Sequence, residues 1–404
     1  MNQADTAWML VSTALVLLMT PALAFFYGGL VRPKNALNTM MMSFVALGVV
    51  AMSWAVLGYS LAFAPGNAWV GDTSRLFLRG VGLDPVPPVT IPQLLYMCYQ
   101  ATFAIITAAL ISGAIVERMR FSAYVIFITL WSLVVYCPIA HWVWGGGWLA
   151  QMGALDFAGG TVVHVNAGVA AFVAAKVIGP RRDYPSSGLL PHNIPFTLLG
   201  AGVLWFGWFG FNAGSAVAAN GIAALAFTAT LLAPAATLTV WMLIDIARSR
   251  NPTAVGAATA IVVGLVAVTP AAGFIGPMSA LILGGVAAIP SYFGLIIRTR
   301  TSLDDSLDVV AAHGVGGTVG ALLTGVFAQK ALNGVADGVL FGNPKQLVIQ
   351  ATAVGAAIVF SAVGSFVLLK LVGLIVPLRA DARDEQAGLD ISQHGEEAYV
   401  HAEG

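Results

Sequence analysis

Charged residues are scarce in this chain of 404 residues. Asp, Glu, Lys and Arg make up 9% of it and hydrophobic residues 58%, whereas soluble domains carry about 25% charged residues. So few charges cannot cover a water-facing surface, so the composition excludes an ordinary soluble protein and predicts an integral membrane protein. The formal net charge is zero, which gives no indication of a nucleic-acid partner.

Cysteine and early basic residues are also rare. Cys98 and Cys137 are the only cysteines, and both lie in apolar stretches, which argues against a disulfide framework or a metal site. We expect no cofactor. No Lys or Arg precedes Arg32, so the amino terminus lacks the basic region of a signal peptide. We expect the first apolar stretch to be a retained helix whose amino terminus lies outside the cell.

Apolar stretches long enough to cross a membrane follow one another along the chain. Two of them, 184–244 and 251–297, are too long for one crossing and break at "NAGSAVAANG" and "TPAAGFIGP". The pattern predicts an all-α membrane protein with eleven transmembrane helices, a membrane domain at 1–376 and a cytoplasmic tail at 377–404. The helices are expected at 7–31, 38–63, 93–115, 121–142, 160–179, 195–214, 222–245, 254–272, 277–297, 306–328 and 346–376.

Basic residues between the predicted helices are unevenly distributed. Those after odd-numbered helices, together with those in the tail, are Arg32, Lys34, Arg118, Arg120, Lys176, Arg181, Arg182, Arg248, Arg250, Arg298, Arg300, Arg379 and Arg383. Those after even-numbered helices are Arg75, Arg79, Lys330 and Lys345. Because basic loops stay on the cytoplasmic side, the odd-numbered connections and the carboxyl tail are predicted to be cytoplasmic.

Two histidines stand in apolar, glycine-containing stretches, "GGTVVHVNAG" and "DVVAAHGVGGTVG". Helices 1–5 and 6–10 are expected to form an inverted repeat, with the long last helix added, in which His164 on helix 5 corresponds to His313 on helix 10. Each lies eight residues after a carboxylate, Asp156 or Asp305, which is roughly 12 Å along a helix. Entering from opposite faces, the two histidines are expected to meet near the midplane of the membrane.

The histidine pair can be structural or functional. A single histidine in a membrane helix is more simply interpreted as a hydrogen bond that holds two helices together. A pair at symmetry-related positions favours function, because ionisable groups inside membranes usually line a pathway. We expect both rings to be neutral and to share one N–H, which leaves their outer nitrogens to donate or accept.

Polar and aromatic residues at the predicted outer helix ends are further candidates. Asp156 is expected to cap helix 5, with hydrogen bonds that lower its pKa, and secondarily to attract a cation. Trp144 is either an interfacial belt residue or, with Phe103, a face for a cation. Ser215 and Phe211 end helix 6, where the simpler interpretation of the serine is a cap.

Five segments spread from the first helix to the tail resemble the ammonium transporter family, in its Amt type rather than its Rh type. They are "FYGGLVRPKNALN", "GGTVVHVNAG", "GWFGFNAGSA", "LDVVAAHGVGG" and "GLDISQHGEEAY". The resemblance implies an outer ammonium site, a phenyl gate below it, a pore-wall tryptophan, a twin-histidine pair and a carboxylate for deprotonation and the electrostatics of the vestibule. By this resemblance, Phe103, Trp144 and Ser215 match the outer site, and Phe103 and Phe211 match the phenyl gate. Trp208 matches the pore-wall tryptophan. His164 and His313 match the twin-histidine pair, and Asp156 matches the carboxylate.

The resemblance also implies a function and partners. It indicates transport of ammonium or ammonia, with methylammonium as an analogue, by a homotrimer in the cell membrane that binds a PII-type regulatory protein on its cytoplasmic face. A membrane ammonium sensor is the alternative, although the tail is short for an output domain. An intramembrane hydrolase lacks a converging set of catalytic residues in the sequence. An ion-coupled carrier of another solute is a further alternative. The sequence leaves open whether net charge moves with each ammonium.

Overall fold

The computed structural model describes residues 1–184 and 190–399, and it is helical, with no strand within those ranges. Ten helices there are long and apolar enough to cross a membrane. One more apolar helix, the eighth in chain order, is shorter. Together they are α1 Gln3–Leu30, α2 Pro33–Phe63, α3 Gln93–Ala114, α4 Phe121–Met152, α5 Gly160–Ile178, α6 Ile194–Ala216, α7 Gly221–Ser249, α8 Ala254–Val268, α9 Pro277–Arg298, α10 Val310–Phe327 and α11 Lys345–Ile375. The chain is therefore a multi-pass membrane protein.

The helix predicted at 254–272 corresponds to α8 and is shorter than expected. Its 15 residues rise about 22 Å, less than the hydrocarbon thickness of about 30 Å. It ends at Val268 because the following "TPAAG" forms turns before α9 begins. Each of the ten long helices overlaps one of the other predicted spans, whereas the number of eleven crossings stays a prediction.

Several of the long helices contain π-helical turns, and short helices occupy the connections and the tail. The π-turns are Trp54–Gly58 in α2, Ser132–Tyr136 in α4, Gly160–Val165 at the start of α5 and Val310–Val315 at the start of α10. The short helices are Leu76–Leu78, Lys330–Asn333, Val339–Phe341 and, in the tail, α12 Ala382–Ala387 and α13 Leu389–His394. Such turns insert one residue into a helix and often lie at functional sites, and here two of them contain His164 and His313.

Glycine brings the two histidine-bearing helices together. A Cβ atom on Gly168 of α5 would lie only 2.4 Å from the Cα of Gly314 of α10. A Cβ on Gly317 would lie 2.9 Å from the Cβ of His164. Because glycine has no Cβ, the backbones of α5 and α10 can cross at Gly168 closely enough for their histidine rings to touch. A residue with a Cβ would not fit at this position.

The tail packs against the predicted cytoplasmic face of the bundle. The Asp390 carboxylate accepts from the backbone N–H groups of Leu37 and Asn38, at 3.0 and 2.7 Å. In return, the backbone N–H of Leu389 donates to the Asn35 side-chain oxygen at 2.8 Å. The tail thus caps the first turns of α2. Residues 400–404 of the predicted tail lie outside the described residues.

A buried ion-pair network ties four connections together on the same face. Glu117 pairs with Arg32 at 2.6 Å and with Arg181 at 3.2 Å, and Arg181 pairs in turn with Asp304 at 2.7 Å. The side chains of Glu117 and Asp304 are fully buried. Burial alone would raise the pKa of Glu117, but its arginine partners outweigh burial and lower that pKa below the usual value. The network therefore depends on an ionised Glu117.

Candidate functional site

Asp156 caps the start of α5, as the sequence predicts. Its Oδ1 accepts from the N–H groups of Gly159 and Gly160 at 2.9 and 2.6 Å, and its Oδ2 from those of Thr161 and Val162 at 2.8 and 3.0 Å. The expectation of a lowered pKa is wrong, however. Burial of the carboxyl outweighs these four hydrogen bonds and raises the pKa of Asp156 to about 6.

The same residue holds the first aromatic ring of the site. The Trp144 Nε1–H donates to the backbone oxygen of Asp156 at 2.9 Å. The ring of Phe103 meets Trp144 edge to face, with centroids 5.9 Å apart and an interplanar angle of 89°. Phe103 also stacks on Phe211, with centroids 4.2 Å apart. Residues from α3, α4 and α6 thus form one aromatic column.

Ser215 lies at the edge of this column with its hydroxyl held in place. Its Oγ–H donates to the backbone oxygen of Phe211 at 2.8 Å, so the lone pairs of this oxygen stay available as acceptors. The Tyr99 hydroxyl lies 3.2 Å from the Ser215 Oγ, and the Tyr99 ring contacts Phe103 with centroids 5.0 Å apart. Sequence reasoning missed Tyr99. The signal was its position one helical turn before Phe103, which places both rings on one face of α3.

Below the column the two histidines meet. The Nδ1 atoms of His164 and His313 lie 3.2 Å apart, and their ring centroids 5.2 Å apart. Both residues are buried, at 2% and 3% exposure. One Nδ1 must donate and the other accept, so the two neutral rings take opposite tautomers and present one N–H and one bare nitrogen at their Nε2 atoms. The Nε2 of His164 is buried and has no hydrogen-bond partner within the described ranges.

Trp208 covers one face of the first histidine. Its indole lies nearly parallel to His164, with centroids 5.4 Å apart and an interplanar angle of 24°. Phe211 lies 6.0 Å from the same imidazole, so the phenyl stack leads directly to the histidine pair. All eight residues singled out in the sequence therefore lie in one continuous region.

A narrow cavity of about 10 Å³ reaches both histidines, which is room for about one water-sized molecule. Its walls are aliphatic, thioether, aromatic or imidazole side chains, with no carboxylate among them. They are Met19, Leu23, Phe26, Ile106, Leu110, Val163, His164, Leu204, Trp208, Phe211, Val262 and His313. Among the described residues, no group of three or more His, Cys, Asp or Glu side chains is arranged to bind a metal.

The second histidine helix begins in the same manner as the first. Asp305 accepts from the backbone N–H groups of Val309 and Val310 at 3.1 and 2.7 Å, as Asp156 does at the start of α5. Each carboxylate is followed by a π-turn that contains the histidine. The predicted inverted repeat therefore has equivalent structural features at both histidines.

Comparison with known proteins places relatives along nearly the whole chain. The profile of the Ammonium Transporter Family matches residues 7–399. The chain is 46% identical over 402 residues to an ammonium transporter of Bacillus subtilis (strain 168), covering 99% of each protein. It is 43% identical over 401 residues to the ammonium transporter Amt1 of Archaeoglobus fulgidus, covering 99% of this chain and 100% of that one.

Solved structures share the fold. Mep2 of Candida albicans superimposes with a TM-score of 0.91 at 36% identity, covering 98% of this chain and 90% of that chain. A structure described as a Sensor Amt Protein superimposes with a TM-score of 0.89 at 28% identity, covering 97% of this chain and 98% of that chain. The bundle and its order of helices therefore recur in experimentally solved proteins.

Proposed function

This chain belongs to the ammonium transporter family, and from that membership we propose that it recruits ammonium at the aromatic column and conducts it through the histidine pair as ammonia and a separate proton. Its relatives are named as transporters rather than enzymes, so the chain is a membrane transporter and not an enzyme. The observation that carries the proposal is the contact between two buried histidines directly beneath a stacked phenyl pair.

The outer end of the column suits a small cation that donates hydrogen bonds. Aromatic faces attract cations through the ring quadrupole, by about 0.5–2 kcal/mol per contact. Trp144 and Phe103 supply the rings, and Ser215 supplies an oxygen whose own proton is already donated to a backbone carbonyl. Ammonium can therefore bind there by charge and by an N–H donated to Ser215.

The phenyl stack and the cavity below it oppose passage of an intact ion. A bare cation in an apolar passage without a carboxylate costs at least several kcal/mol. Loss of a proton removes this cost, because neutral ammonia needs only hydrogen bonds. The bare nitrogen and the N–H that His164 and His313 present can accept from and donate to ammonia in turn, and the proton shared between their rings supplies a relay for the released charge.

Asp156 acts by position and charge rather than by taking the proton itself. Each of its carboxylate oxygens already accepts two backbone N–H groups. Its backbone oxygen fixes Trp144, and its side chain fixes the start of the helix that contains His164. Its negative charge adds an attraction for cations at the same end of the pore.

Substitution of both histidines tests the proposal. In liposomes that contain the purified protein, we expect the parent to pass ammonium and to exclude potassium, which has no proton to lose. We expect His164→Ala with His313→Ala to reduce ammonium flux or to admit potassium. His192→Ala, at the predicted cytoplasmic face, serves as the control. The proposal is wrong if the double variant excludes potassium and carries ammonium at the parent rate.

The setting of this activity is proposed with it. We place the protein in the cell membrane as a homotrimer, with residues 1–376 as its membrane domain and 377–404 as its tail. The amino terminus lies outside the cell. The tail lies in the cytoplasm, where a PII-type regulator docks. The basic connections and the tail that packs on them share one face, which supports this orientation. Crosslinking in native membranes tests the trimer, because crosslinked products should stop at three subunits. Protease access to the tail from the cytoplasmic side tests the orientation.

A sensor is the second candidate, because the Sensor Amt Protein has the same fold. A sensor would bind ammonium at the aromatic column without sustained flux. Uptake of labelled methylammonium into cells that lack other ammonium transporters separates the two functions.

A further inference from the structure

Thr269, the residue that follows α8, is hydrogen-bonded to the pore-wall residue Trp208. It is completely buried. The Trp208 Nε1–H donates to its hydroxyl oxygen at 2.9 Å. The hydroxyl hydrogen can go to the backbone oxygen of Leu265 at 2.8 Å or to the side-chain oxygen of Asn212 at 3.2 Å. Thr269 is thus an acceptor for the indole whichever way its own proton points.

The hydrogen-bond chain continues away from the pore. The Asn212 side-chain N–H donates to the Thr230 hydroxyl at 3.0 Å, and Thr230 donates to the backbone oxygen of Ala226 at 2.7 Å. Asn212 and Thr230 are both fully buried. The chain therefore joins α6, α7 and α8 through neutral groups only, and every donor in it has an acceptor. Such a network is rigid, because breaking one bond leaves a buried polar group unpaired.

We propose that Thr269 is a positioning residue for conduction, because its hydroxyl holds the Trp208 indole parallel to His164. This inference rests on the proposed function of the histidine pair. The indole covers one face of the His164 ring, with centroids 5.4 Å apart. The Nδ1 of His164 must also stay within hydrogen-bond distance of the Nδ1 of His313. An indole free to rotate about its side-chain bonds would no longer fix the plane of His164, and the transfer geometry between the two histidines would be lost in a fraction of the molecules.

Replacement of the hydroxyl by a methyl group of similar size isolates this effect. Thr269→Val keeps the shape but leaves the Trp208 N–H without an acceptor, whereas Thr269→Ser keeps the acceptor. We expect the valine variant to lower the maximal ammonium flux in liposomes by about tenfold, the scale on which an unpaired buried donor acts. We expect the half-saturating ammonium concentration to change by less than about twofold, because within the described residues the hydrogen bonds of Thr269 go to Trp208, Asn212 and Leu265 and not to Trp144, Phe103 or Ser215.

A double substitution shows whether Thr269 acts through the indole. Trp208→Phe removes the N–H, so adding Thr269→Val to it should cause no further loss. Thr259→Val is the matched control, since Thr259 lies on the same helix and its hydroxyl donates only to the Val255 backbone oxygen, at 2.9 Å. One ultraviolet resonance Raman band reports the hydrogen bonding of indole N–H groups. Subtracting the spectrum of Trp208→Phe from that of the parent isolates the contribution of Trp208. This band should shift in Thr269→Val and not in Thr269→Ser.

The inference is overturned if the serine variant is as slow as the valine variant, or if valine slows Trp208→Phe as much as it slows the parent, because Thr269 would then act by packing. If the valine variant is not recovered folded, Thr269→Ala replaces it in the same comparison. A parent protein that carries no ammonium would refute the proposed function, and the Raman comparison would still decide whether Thr269 holds Trp208.

Discussion

The indole of Trp144 is anchored at its nitrogen, by the backbone oxygen of Asp156, and it meets Phe103 edge to face. If the ring binds ammonium, Trp144→Leu should raise the half-saturating ammonium concentration by about two- to thirtyfold, since a cation–π contact is worth about 0.5–2 kcal/mol. Labelled methylammonium uptake at a series of concentrations measures the change.

A second tryptophan provides the control for Trp144. Trp69 is 58% exposed and lies in the predicted outer loop between α2 and α3. Trp69→Leu should leave the half-saturating concentration unchanged. If Trp144→Leu also leaves it unchanged while the protein stays folded, Trp144 is an interfacial belt residue.

Asp156 shows where residue-level reasoning from the sequence failed. Its position before a predicted helix indicated a cap, and four N–H donors confirm that geometry. The sign of its pKa shift depended on how much protein surrounds the carboxyl, and burial there outweighs the donors. A one-dimensional pattern contains helix ends but not the density of atoms from other helices, which sets the desolvation cost.

At the scale of elements, the contact between the tail and α2 gives a prediction. Asp390→Asn replaces one carboxylate oxygen by an NH₂ group, which cannot accept from the Leu37 or Asn38 N–H. Loss of a capping acceptor costs about 1 kcal/mol, so amide exchange in α13 should become about fivefold faster. Hydrogen exchange followed by mass spectrometry measures it.

An exposed carboxylate in the same tail provides the control. Glu396→Gln should leave exchange in α13 at the parent rate. If Asp390→Asn also exchanges at the parent rate, other contacts hold the tail and the reciprocal capping of α2 is incidental.

The elements themselves were largely predictable. Ten long helices overlap predicted spans because about 20 apolar residues can satisfy their backbone in lipid only as a helix. The exception is α8, since "TPAAG" is apolar enough to extend a span by composition but leaves the helix after Val268. The π-turns that contain the two histidines were also not predictable, because apolar composition does not distinguish a π-turn from an α-helical turn.

At the scale of the whole molecule, the buried Glu117 network predicts a dependence on acid. The pKa of Glu117 lies below its ordinary 4.5 in the folded protein, so the stability it contributes is complete above that value and is lost as the pH falls below it. Glu117→Gln should lower the stability by about 3 kcal/mol near neutral pH, because it leaves the Arg181 charge buried and less well paired. Between about pH 5 and about pH 3 the variant should then lose less stability than the parent.

Thermal unfolding of the purified protein at several pH values measures both effects. Asp381→Asn is the control, since Asp381 is a 73% exposed partner of Arg120 and surface pairs contribute little. Equal slopes with pH for Glu117→Gln and the parent would show that the network does not set the acid limit.

The sequence by itself determined that this protein crosses a membrane many times, which residues are candidates for a pore, and that two histidines approach each other from opposite faces. The first and last of these conclusions follow from composition and spacing along the chain, whereas the choice of pore candidates also rests on the resemblance to the ammonium transporter family. Only the tertiary structure decided that the Nδ1 atoms face each other, that Tyr99 belongs beside Ser215 and that Thr269 anchors Trp208. These contacts join residues far apart in the sequence, such as Trp208 and Thr269, and their geometry is set by how closely several helices pack, a property that no single segment contains.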